Sequence, residues 1–131
     1  MSKRAYETFV AAVALCAIPL STALAETTLT PVLTIPIQGM PNTEAKILMF
    51  DVDPGWKTDH HIHPGHLFVY ILEGSLQLDV DGSDPVVYSV GEAFYELPDL
   101  GMVGSNFSTS DRAKFVVFQF GEAGKPLMIA Q

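Results

Sequence analysis

Past residue 25 the apolar positions come in short bursts. PVLTIPI (31–37), KILMFDV (46–52), LFVYILEG (67–74), SLQLDV (75–80), PVVYSV (85–90), AFYEL (93–97) and KFVVFQF (114–120) are rich in β-branched and aromatic residues. Turn sequences separate them: DPGWK, EGS, VDGSD, SVGEA, ELPDLG and STSDR. No window past Ala25 carries a helical period. Many short strands at even spacing predict an all-β barrel or sandwich. LFVYIL and KFVVFQF are apolar on consecutive residues, so both faces of those strands must leave water. One face fills the interior. The other packs on a second copy of the chain, giving a homodimer, or lies beneath the N-terminal strand.

The first 25 residues have a different character. Lys3 and Arg4 precede the apolar run FVAAVALCAIPLSTA, which ends in Ala23-Leu24-Ala25. Basic, apolar, then small-x-small is the order of a cleaved secretory signal. The run is shorter than the roughly 20 residues of a spanning helix. The expected organisation is therefore a signal peptide over 1–25 and one domain over 26–131, periplasmic or secreted, with no membrane attachment after cleavage. Lipoprotein processing at Cys16 is the rival, and bulky Leu15 stands where that processing wants a small residue.

Cleavage changes the chemistry available. Cys16 is the only cysteine of the 131 residues, so the mature chain has no thiol, disulfide or thiolate ligand. Loss of Lys3, Arg4 and Glu7 leaves 5 basic and 14 acidic side chains, a net charge of −9 against −8 for the whole chain. Such a surface repels phosphate backbones, which excludes nucleic acid as the expected partner. A small-molecule ligand remains.

The stretch DHHIHPGH (59–66) holds all four histidines: His60, His61, His63 and His66. Imidazole is the commonest protein ligand for transition metals. In an extended segment His61 and His63 share a face, and His60 and Ile62 take the other. Two imidazoles hold an ion weakly, so a firm site needs further donors from another strand. No nucleophile elbow or phosphate loop is present.

GWKTDHHIHPGHLFVYILEG (55–74) resembles the first motif of the cupins: glycine, five residues, His-x-His, three or four residues, glutamate, six residues, glycine. Gly55, His61, His63 and Gly74 fit, and Leu67 stands at the glutamate position. GEAFYELPDLGMVGSN (91–106) is similar to the second motif, from Gly91 to Asn106. Leu97 stands there at the proline position, Asp99 at the glycine and Met102 at the third histidine. The resemblance implies a double-stranded β-helix, or jelly-roll barrel, usually dimeric, with a metal held inside by three histidines and a glutamate. His61 and His63 are the two ligands retained.

The departures alter the expected chemistry. Leu67 cannot coordinate, and its loss of charge weakens the hold on hard ions. Met102 offers a soft thioether, which with two imidazoles suits copper, though most buried methionines only fill space. The expected cofactor is a divalent or copper ion on His61, His63 and Met102, with Leu67 and Val69 lining the ligand pocket. Third-ligand alternatives are His66 and the carboxylates of Glu96 and Asp99. Asp59 is a candidate to orient a histidine. Asn106, Trp56, Tyr70 and Tyr95 read as structural, and Glu73 as solvated. The leading function is binding of a metal or small ligand. The alternatives are a metal-dependent enzyme acting on a small organic acid or sugar-like compound, and a metal-free structural protein whose His61 and His63 splay apart.

Overall fold

The structure is a computed structural model that describes residues 24–131. Residues 1–23, with Cys16 and most of the expected signal, lie outside the described residues. The described residues form ten strands: β1 (Thr27–Pro36), β2 (Thr43–Val52), β3 (His61–Ile62), β4 (His66–Glu73), β5 (Ser75–Val80), β6 (Val86–Ser89), β7 (Ala93–Glu96), β8 (Met102–Ser105), β9 (Ala113–Glu122) and β10 (Ile129–Ala130). They make two five-stranded antiparallel sheets, ordered β1-β2-β9-β4-β7 and β10-β3-β8-β5-β6. Among the described residues no helix is long and apolar enough to cross a membrane.

Strand periodicity explains how the sheets face one another. Along β4, Leu67, Val69 and Ile71 are buried, and Phe68, Tyr70 and Leu72 between them are exposed. Along β9, Ala113, Phe115 and Val117 turn inward. Phe50 of β2 stacks on Phe115 at 5.0 Å between ring centroids. The second sheet answers with Leu76 and Leu78 of β5 and Met102 of β8. Each of these side chains larger than alanine contributes about 1.5–3 kcal/mol by leaving water, and together they bind the two sheets into one core.

The outer face of the first sheet stays apolar. Cross-strand register lines up Ile47, Phe118, Phe68 and Tyr95 in one row over β2, β9, β4 and β7. Phe68, Tyr95 and Phe118 are each exposed. The N-terminal strand does not cover this row. It pairs edge-on with β2 and lengthens the sheet.

Two turns fix the frame around the histidines. Gly74 joins β4 to β5 with φ +69, and a side chain there would run into the Arg112 carbonyl. Asp99, at the position where the resemblance expects glycine, adopts φ +58. Its backbone N–H donates to the His63 carbonyl at 2.9 Å. Left-handed backbone is one that aspartate tolerates better than most side chains. Short β3, β8 and β10 escaped the hydrophobic pattern. β3 and β10 have two residues each, and β8 carries Gly104 within a four-residue run.

Candidate metal centre

β3 carries His61 into the interior between β8 and β10, opposite Met102 on one side and Ala130 on the other. His63 follows two residues later on the same face. Both rings are almost wholly buried. They meet edge to face, 87° between planes, with Nε2 of His61 3.1 Å from Nε2 of His63. This is convergence, the opposite of the splay a purely structural role predicts.

The other ring nitrogens decide the tautomers. His61 Nδ1 lies 2.8 Å from the Asp59 carbonyl oxygen, and His63 Nδ1 lies 2.6 Å from that of Leu127. A carbonyl only accepts, so each Nδ1 carries a hydrogen and donates it. In the neutral rings both Nε2 atoms are then bare lone pairs facing each other. Asp59 orients His61 through its backbone carbonyl, where the sequence suggested its carboxylate.

A third acceptor joins them. Glu96 is 7% exposed, and its Oε2 stands 3.1 Å from His63 Nε2. Its position follows from register: Leu67 of β4 pairs directly with Glu96 of β7, so the two side chains share the inward face. The carboxylate absent at position 67 is supplied by the residue across the ladder. Glu96 was one of several acids weighed from sequence. The signal that would have singled it out is the pairing of AFYE with HLFVY, in which its partner is the misfit leucine.

Two nitrogens and one carboxylate, all acceptors, cannot pack against one another unaided. Leaving buried polar groups unmatched costs about 1–3 kcal/mol each. A shared proton or a cation resolves the conflict. Donors about 2.1 Å from one ion stand about 3.0–3.4 Å apart when the bond angles are between octahedral and tetrahedral. Both observed separations, 3.1 Å, fall in that range. The two approaches share His63 Nε2, and among the described residues no group of three or more His, Cys, Asp and Glu is already drawn round a single ion-sized point. The donor chemistry fits a metal, with His63 Nε2 common to both close approaches.

Leu67 and Val69 line the cavity in front of these groups, with Trp56, Phe115 and Val117. The cavity measures about 40 Å³, room for a few water-sized groups at roughly 10–30 Å³ each. Met102 does not line it. Its side chain sits in the core and borders a separate cleft on the far side of Glu96. His66 turns outward, with Nδ1 against the Tyr95 hydroxyl, and His60 pairs at the surface with Asp81. Neither reaches the buried pair. Asn106 is structural: its Nδ2 donates to the carbonyls of Asp53 and Asp111. Trp56 packs on Phe115, and Glu73 faces solvent beside Lys114.

The family model described as "Cupin domain" matches residues 48–104. An RmlC-like cupin with a double-stranded β-helix fold from Methanocaldococcus jannaschii superposes with a TM-score of 0.62 at 16% identity, over 74% of this chain and 82% of that one. A cupin 2 domain-containing protein from Halorhodospira halophila gives 0.63 at 14%, over 80% and 70%. Recombinant oxalate oxidase in complex with glycolate gives 0.62 at 22%, over 79% of this chain and 54% of that one. At these identities the likeness is one of fold. No curated protein matches the chain in sequence.

Burial governs the basicity of His61. Desolvation pulls its pKa below the ordinary 6.5, repulsion from His63 and His60 acts the same way, and the Asp59 carbonyl and Glu96 oppose. The unfolded chain takes up this proton near 6.5, and the folded chain only at lower pH. Between those values the unfolded state binds more protons, so stability declines as pH falls through that window. Urea unfolding with chelator present, from about pH 7.5 to 5, should show His61→Gln flattening the decline, whose ceiling is about 1.4 kcal/mol per pH unit for one proton. An unchanged slope would contradict the assignment.

Proposed function

We propose, from the premise that the chain belongs to the cupin superfamily, that it binds a first-row transition-metal ion on His61, His63 and Glu96. The observation that supports this most is the pair of buried Nε2 lone pairs aimed at each other beside a carboxylate. Imidazole and carboxylate together suit zinc, ferrous iron or manganese better than cuprous ion. Because Met102 lies outside the cavity, it serves packing in this reading and not ligation.

Three protein donors leave positions for water or a small ligand, which is what a metal-dependent enzyme also needs. The inner cavity limits such a ligand to very few atoms. Among the described residues neither Lys nor Arg lines it, so an organic acid would find no counter-charge there except the metal itself. The enzymatic reading therefore depends on the ion being present.

Metal content tests the assignment. The mature chain, purified without a histidine tag, should carry or take up close to one equivalent of metal by mass spectrometry. His61→Ala and Glu96→Gln should each reduce affinity by about 10-fold or more, with Met102→Leu close to wild type. Loss of metal from Met102→Leu, or retention in both of the other variants, would contradict it.

Export and self-association complete the proposal. The basic, apolar and small-residue order of residues 1–25 supports cleavage after Ala25. The apolar row over β2, β9, β4 and β7 supports a second copy of the chain as its cover. Protein recovered from the periplasm should have the mass of a chain beginning at Glu26 and sediment as a dimer, with Phe118→Lys sedimenting as a monomer. A full-length mass, or a wild-type monomer at micromolar concentration, would contradict the respective claim.

A further inference from the structure

Glu96 lines two cavities. On one side is the histidine cavity. On the other is a cleft of about 290 Å³ at the edge where β6 and β7 end the two sheets. At roughly 30 Å³ per water-sized group, it has room for about ten non-hydrogen atoms. The inner cavity, at about 40 Å³, has room for only a few. Of the two cavities that Glu96 lines, only the cleft has room for an organic ligand of ordinary size.

The walls of the cleft define what it takes. Leu78, Val86, Tyr88, Leu97 and Met102 give it an apolar body. Its charged groups are Asp84 and Glu96, both acids, and among the described residues no Lys, Arg or His lines it. A carboxylate ligand would meet two like charges and no counter-charge, with only the hydroxyls of Ser83, Tyr88 and Tyr95 to donate to it. A cation would meet two opposite charges, one of them largely buried, where water screens little. Glu96 can serve both sides, because a carboxylate has two oxygens and about four acceptor sites. Oε2 is at His63, and no other hydrogen-bond partner of Glu96 is found among the described residues.

We infer that this cleft is a second binding site, for a small organic amine with an aromatic or branched apolar body, its ammonium held by Glu96 and Asp84. The site shares Glu96 with the proposed metal centre, and its other residues lie outside that centre. Glu96 would then link the two, since an ammonium on one oxygen alters the charge the other presents to His63.

Three probes of one shape and different charge test this: phenethylamine, 2-phenylethanol and 3-phenylpropionate. Binding is measured by calorimetry on chelator-treated mature protein, so that failure of the metal assignment does not affect the result. The expected order is amine, alcohol, acid, with the acid at least about 10-fold weaker than the amine. Leu97 is half exposed at the cleft, so Leu97→Lys tests charge without disturbing the core. It should weaken the amine by about 10-fold or more and strengthen the acid. Equal binding of all three probes, no binding up to about 10 mM, or an order unchanged by Leu97→Lys would overturn the inference.

Discussion

Two backbone carbonyls set the character of this protein's interior. Those of Asp59 and Leu127 each take the Nδ1 hydrogen of a buried histidine. Each ring is thereby obliged to present a bare Nε2 to the other. A hydrophobic core does not ordinarily tolerate such an arrangement, because nothing in it satisfies facing lone pairs. The pair makes sense as a receptor for positive charge. The carboxylate of Glu96, arriving at the same nitrogen, strengthens that demand.

The fold supplies this constraint from distant parts of the chain. His61 and Glu96 are brought together by different sheets. The Leu127 carbonyl comes from the segment just before β10, the last strand. That short strand pairs with β3 and so helps hold the histidine segment between its neighbours. Around the site Phe50, Phe115 and Val117 give the cavity apolar walls. A low-dielectric surrounding strengthens attraction between a cation and these donors, and equally the penalty for their having none.

Much of this was legible in the sequence, and the illegible part has a physical cause. Alternation and turn residues disclosed the long strands, because side-chain period is a local property. His61 and His63 could be paired for the same reason. Which of the candidate acids joins them could not be read that way. Glu96 reaches His63 through strand pairing between β4 and β7, and register is a non-local property that no window reveals. Met102 shows the converse. It occupies a motif position associated with a ligand and sits directly across the ladder from His61, yet its side chain borders a different cavity. Sequence position placed the residue correctly, but not the contents of the space its side chain enters.

The proton positions on the two buried rings test the account most directly. Long-range proton–nitrogen correlation spectra of chelator-treated protein, labelled with nitrogen-15 histidine, report which nitrogen of each ring carries hydrogen. For His61 and His63 both Nδ1 atoms should be protonated, and both Nε2 signals should move on adding zinc. A proton resident on Nε2 and absent from Nδ1 of either ring, with no response to zinc, would contradict it.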